Sequence, residues 1–148
     1  MAEIQLTQSE ADFLFKMQKI KVDDTIWKLP DFGGKLCIPL ISNDKKERFS
    51  LDIWRGGIDL KRQKYQSRTR DTVVLARLDI GSPHRNPDDL EVGVPHLHLY
   101  REGYGDRWAF EIPEGIFADI NDRWQTLVDF MKYCNITEPP KFRRDLLT

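Results

Sequence analysis

All three histidines of the chain, His84, His96 and His98, fall in one short stretch, flanked by Arg77, Arg85, Arg101, Tyr100 and Tyr104. Successive side chains of a strand point to opposite faces. A strand over residues 96–101 therefore projects His96, His98 and Tyr100 from one side and Leu97 and Leu99 from the other. The leucines are the natural core face, which leaves the imidazoles facing solvent or a cleft. If the preceding strand runs antiparallel to this one, the turn at residues 81–89 returns His84 and Arg85 toward His96. Arg77 and Asp79, alternating on that neighbour, join the same surface.

Such a set supports more than one chemistry. In metal-free phosphodiester cleavage, two histidines near neutral pKa act as acid and base while arginines and a hydroxyl stabilise the charge growing on phosphorus. His84, His96 and His98 would supply the acid–base pair, Tyr100 a proton donor or orienting group, and Arg77, Arg85 and Arg101 the phosphate contacts. The run at residues 61–70 carries five basic residues and no acidic one. This basic stripe, Arg68 and Arg70 included, would hold a nucleic-acid backbone, with Tyr65 or Tyr104 stacking on a base. Alternatively, His-x-His on a strand presents two imidazoles to one metal ion, with His84 and Asp88 as further ligands.

Each feature also has a structural explanation. Residues 83–88 form a proline-cornered turn. Gly103 and Gly105 serve a hairpin that needs positive φ. Arg77 and Asp79 make an ion pair of small value. The basic run is an edge strand guarded by its charges. Phe32-Gly-Gly-Lys35 lacks phosphate-loop spacing, and Trp54, Trp108 and Trp124 read as core. What favours a site is that every histidine shares one segment with two proline-bound turns and a basic strand.

The elements that must position this cluster can be read outward from it. With 148 residues, 40% hydrophobic and 32% charged, the chain is long and apolar enough for one folded domain over 1–148. The net charge of −1 gives no global signal for nucleic acid. No apolar run reaches the roughly 20 residues of a membrane span, and the start lacks the basic and apolar regions of a leader. A cytoplasmic location is expected, with Cys37 and Cys134 as reduced packing residues.

Thr7 and Glu10 form a capping box opening a helix over residues 8–19. Strands are expected at 36–41, where Pro39 suggests a sheet edge, and at 48–55, the two forming a hairpin. Further strands are expected at 61–70, 72–80, 96–101 and 107–112. A second helix over 120–134 would be capped by Asp119 or Asn121, and the tail with Pro139-Pro140 would be extended. The fold class expected is α+β, with a mainly antiparallel five- or six-stranded sheet and an N-terminal and a C-terminal helix packed on one face.

Three resemblances bear on function. Residues 96–100, His-Leu-His-Leu-Tyr, resemble the histidine-triad hydrolases, which would make His98 a nucleophile toward an α-phosphate, with Tyr100 in place of the third histidine. Residues 77–88 and 95–105, which contain Pro-His-Arg-Asn-Pro-Asp and Pro-His-Leu-His-Leu-Tyr-Arg-Glu-Gly-Tyr-Gly, look like an uncharacterised bacterial and phage family of unknown function. That resemblance runs from the basic strand through Asn135. On Arg77, Asp79, Pro83, His84, Pro95, His96 and His98 the chain is also similar to TumE-type toxins of toxin–antitoxin pairs, though their adjacent-histidine pair is absent. This implies a metal-independent, ribonuclease-like toxin of a toxin–antitoxin or phage-defence system, acting on RNA, restrained by a cognate antitoxin and needing no cofactor. The alternative is a non-catalytic module that recognises a protein or nucleic acid through the same face, with Tyr100, Tyr104 and Arg101 as anchors. A homodimer is left open.

Overall fold

The computed structural model describes residues 5–57 and 62–143. The chain begins with α1 (Gln8–Lys16), β1 (Lys19–Lys21), β2 (Ile26–Trp27), β3 (Lys35–Ser42) and β4 (Arg48–Arg55). It continues through β5 (Gln63–Thr69), β6 (Val73–Asp79), β7 (His84–Arg85), β8 (Glu91–Val92), β9 (His96–Leu99) and β10 (Ala109–Glu111). It closes with α2 (Arg123–Tyr133), β11 (Ile136–Glu138) and β12 (Lys141–Phe142). Eight strands form one sheet in the order β10-β9-β6-β5-β4-β3-β1-β11, while β7 pairs with β8 and β12 with β2.

The α+β class stands, but the sheet is larger than five or six strands and is mixed. The additional members are β1 and β11, which pair in parallel through Lys19 and Ile136 near the two ends of the chain. Each is three residues long, too short to show alternation, and their pairing is non-local. β1 also ends α1 early. The helix stops at Lys16, with Met17 already extended, because Lys19 belongs to the sheet. The capping box forms as expected, the Thr7 hydroxyl accepting from the amide of Glu10 and the Glu10 carboxylate from the amide of Thr7. In α2 the N-cap is Asp122, which accepts from Gln125. Asp119 instead accepts from the amide of Asn121.

Alternation in the long strands gives the sheet two unlike faces. Phe49, Leu51 and Ile53 of β4, Leu78 of β6 and Leu97 of β9 are buried in one cluster with Ala11 and Leu14 of α1 and Leu127 and Phe130 of α2. Both helices thus cover the same face. Phe15 of α1 also meets Tyr133 of α2 edge-on, with ring centroids 5.5 Å apart. Burying each such aliphatic or aromatic side chain contributes about 1.5–3 kcal/mol. The opposite face carries Ser50, Asp52, Gln66, Arg68, Arg77, Asp79, His96 and His98.

The basic run is not an edge strand. β5 lies inside the sheet between β4 and β6, and Lys61 at its start falls outside the described residues. Its polar residues are tolerated because the polar face supplies partners. Arg68 Nε lies 2.9 Å from Asp52 Oδ2, and Asp52 also accepts from Ser50 and Gln66. On the other face Tyr65 packs against Phe130, with centroids 6.0 Å apart. Pro39 is explained in turn by the shortness of β1, which pairs only with Leu40, Ile41 and Ser42 and leaves the position beside Pro39 open.

Two packing assignments need correction. Cys134 is buried and Cys37 is exposed, because Cys37 lies opposite Asp52 on the polar face. Trp54, Trp108 and Trp124 are half-buried; Trp124 packs against the core as expected, but Trp54 and Trp108 do not join it. Trp54 shares the polar face, and Trp108 lies against Arg101 and Tyr104. No helix among the described residues is long and apolar enough to cross a membrane.

Candidate histidine site

The antiparallel register of β6 and β9 sets Asp79 opposite His96 and Arg77 opposite His98. Residues paired across two strands share a face, so these four groups project together, away from the helices. β10 adds Ala109 opposite His98 and Glu111 opposite His96. The segment after β6 folds over this row. β7 and β8 form a small hairpin within it, and the Val94–Pro95 bond just before β9 is cis. Asn86 fastens the hairpin to the sheet's outer edge, its side-chain amide donating to Ala109 O and accepting from Ala109 N at 2.9 and 2.8 Å.

Under this cover His96 is 0% and His98 1% exposed. The ring of His84 lies 4.5 Å from that of His98 and 6.0 Å from that of His96, centroid to centroid. His84 Nε2 donates to Arg107 O at 2.7 Å. His96 Nδ1 donates to Gly93 O at 2.9 Å, and His98 Nδ1 to Asp106 O at 2.8 Å. A carbonyl can only accept, so each Nδ1 carries hydrogen and each neutral ring leaves a lone pair on Nε2. The two Nε2 atoms lie 3.0 Å apart.

The surroundings favour neutral rings. Burial, then the neighbouring Arg77 guanidinium, pulls His98 down to about 4. Burial also lowers His96, with the Gly93 carbonyl and Asp79 acting in the opposite sense. Arg77 is neutralised by Asp106, whose carboxylate pairs with it while its carbonyl holds His98. Asp79 Oδ1 accepts from the amides of Gly81 and Ser82 at 2.9 and 3.4 Å. Its Oδ2 is 3.9 Å from both Lys64 Nζ and His96 Nε2. Gly81 is required here, since a Cβ would lie 2.8 Å from the Cα of Arg62.

The structure thus brings His84, His96, His98 and Arg77 together. Tyr100 is absent from the group, because β9 ends at Leu99 and the side chain turns toward α1. Its hydroxyl accepts from Leu6 N at 2.8 Å and donates to Leu6 O at 2.6 Å. Arg85 projects outward to Asp89. Arg70 is at the β5–β6 turn, beside Glu47, and Arg68 is held by Asp52. Arg101 lies over the rings of Trp108 and Tyr104, at 4.5 and 5.6 Å. Asp88 is exposed and accepts from Leu90 N. Asp79 is the carboxylate that joins the imidazoles, and one ligand atom from each of Asp79, His96 and His98 lies within 4.8 Å of the others. Its sequence signal was its alternation with Arg77. These two do not pair with each other as expected, because Asp106 engages Arg77 and Lys64 approaches Asp79.

Beside the cluster, the polar face opens into a cleft of about 400 Å³ whose walls include Trp54, Arg55, Arg62, Lys64, Arg77 and Asp79. Arg77 and Asp79 belong both to the cleft and to the histidine group. Sequence reasoning placed Arg62 and Lys64 in the basic run and Trp54 in the core, and did not assign Arg55 to a site. They are separated along the chain, and only the pairing of β4, β5 and β6 gathers them.

A family model described as a family of unknown function, DUF6978, matches residues 6–136. The chain belongs to that family. No curated protein and no solved structure matches it.

Proposed function

We propose that this member of the DUF6978 family binds nucleic acid, RNA foremost, taking a phosphodiester backbone into the cleft on the polar face of its sheet. The observation that carries the reading is the meeting of Arg55, Arg62 and Lys64 in one concave surface with Trp54, beside Arg77, whose charge Asp106 already balances. Three cations around a cleft concentrate phosphate groups, and an aromatic ring offers a stacking platform for a base. A chain of net charge −1 has no general attraction for nucleic acid, so attraction has to be local.

Binding is favoured over turnover because His96 and His98 are fully buried. An acid or base must come within hydrogen-bond reach of the atom it protonates, and these two do not reach the surface. One observation supports the second reading, a metal-independent, ribonuclease-like toxin. His84 is only half-buried and meets His98 edge-on, so it is the imidazole nearest to a substrate. In that reading a cognate antitoxin would cover the cleft, and the site of action would be the cytoplasm.

Fluorescence anisotropy with single-stranded RNA tests the binding reading. Lys64→Ala should weaken binding and make the salt slope shallower by about 1. Salt-independent binding, or none by the folded wild type, would refute it. RNA cleavage by the chelator-treated protein that disappears in His84→Ala, with growth arrest on expression, would establish the toxin reading instead.

A further inference from the structure

We propose that Asp79, His96 and His98 form a binding site for a divalent transition-metal ion of the zinc class. Asp79 also lines the cleft, but none of the three donors is a cation on which nucleic-acid binding depends.

The arrangement of lone pairs is the first argument. Both Nδ1 atoms donate to backbone carbonyls, so the neutral rings direct two lone pairs at each other across 3.0 Å. That contact is repulsive unless something positive lies between them. A shared proton would answer for the two nitrogens alone. A metal ion answers for both nitrogens and also for a third donor, Asp79 Oδ2, which is 3.9 Å from His96 Nε2.

The spacing is the second argument. The three donor atoms lie between 3.0 Å and 4.8 Å apart. Around a tetrahedral ion with bonds of about 2.1 Å, ligand atoms are about 3.4 Å apart, so small side-chain rotations would close the set.

The outer hydrogen bonds are the third. A ligating histidine typically donates its other N–H to a carbonyl or carboxylate, which fixes tautomer and ring orientation. His96 and His98 both do so here. Asp79 is likewise held, through Oδ1, by the amides of Gly81 and Ser82. All three groups are therefore oriented by backbone atoms before any ion arrives, and all three are buried.

Two imidazole nitrogens and one carboxylate oxygen suit borderline ions such as Zn²⁺, Co²⁺ or Fe²⁺ and not Mg²⁺ or Ca²⁺, which prefer all-oxygen shells. Three protein ligands leave a coordination position for water or another oxygen donor.

The test uses the full chain stripped with chelator and titrated with ZnCl₂ by calorimetry, with ¹⁵N spectra of the imidazoles recorded in parallel. Saturable binding of one equivalent is expected, with Nε2 of His96 and His98 shifting while their Nδ1 protons persist. His98→Ala should lower affinity about 100-fold or more. Cys37→Ser, which removes the exposed thiol, should leave it unchanged. The spectra keep the idea testable on the wild type if a variant misfolds. No saturable binding, binding that spares both Nε2 resonances, or a proton between the two Nε2 atoms that zinc does not displace would each overturn the proposal.

Discussion

The ammonium of Lys19 donates to the carbonyl oxygen of Cys134 at 2.8 Å, linking two parts of the chain 115 residues apart. It also donates to Phe15 O and Met17 O, at 2.8 and 2.9 Å. A single buried cation thus satisfies carbonyls at the C-terminal ends of both helices, where the helix dipoles favour positive charge. The ring of Phe49 lies 4.9 Å from it. Lys19→Met should destabilise the fold by about 2 kcal/mol, because three carbonyls lose a charged donor while the cost of burying the charge is recovered. Urea unfolding of the two proteins measures the difference.

The same residue predicts a pH dependence. Burial pulls the Lys19 ammonium from its ordinary 10.5 down to about 8. Between those values the unfolded chain holds the proton and the folded chain does not, so stability rises with pH across that window. The slope reaches about 1.4 kcal/mol per pH unit at most. The Cys134 thiol, pushed up to about 12 by burial, contributes the opposite sign. Subtracting the Lys19→Met profile from that of the wild type largely removes it. A difference that is flat from pH 8 to 10 would contradict the prediction.

Tyr100 holds Leu6 by both backbone atoms and does not face the histidines. Tyr100→Phe should therefore cost about 1–2 kcal/mol of stability and leave RNA affinity unaltered. Thermal unfolding and anisotropy, measured on the same preparation, separate the two effects. A folded variant that had lost binding would return Tyr100 to the site.

Asn86 is the fastening of the hairpin over His96 and His98. In Asn86→Ala both Ala109 backbone groups lose a partner, at a cost of about 2 kcal/mol, and the cover should open more often. Acylation of the imidazoles by diethylpyrocarbonate should accelerate at His96 and His98 and change little at His84, which is already half-exposed. Equal rates in wild type and variant would mean that the cover is held elsewhere.

Much of the fold follows from local pattern. The Thr7–Glu10 box, the alternation of Phe49, Leu51 and Ile53, and the stripe of Leu127, Val128 and Met131 mark a helix, a strand and a helix from neighbouring residues alone. Alternation also assigned His96 and His98 to one face and Leu97 to the other. It failed at Tyr100, where the strand ends, and at β5, whose polar residues have no apolar face to declare until Asp52 and Phe130 lie beside them.

The α+β class, six of the eight strands of the main sheet and the clustering of every histidine are legible from spacing along the chain. Long-range pairing was needed to show that β1 and β11 extend the sheet, that Asp79 and not Asp88 meets the imidazoles, and that Arg55, Arg62, Lys64 and Arg77 share a cleft. The same holds for the burial of His96 and His98 and for the meeting of their Nε2 atoms. Each of these depends on strand register and on which carbonyl meets which ring nitrogen, relations between distant residues that no local pattern encodes.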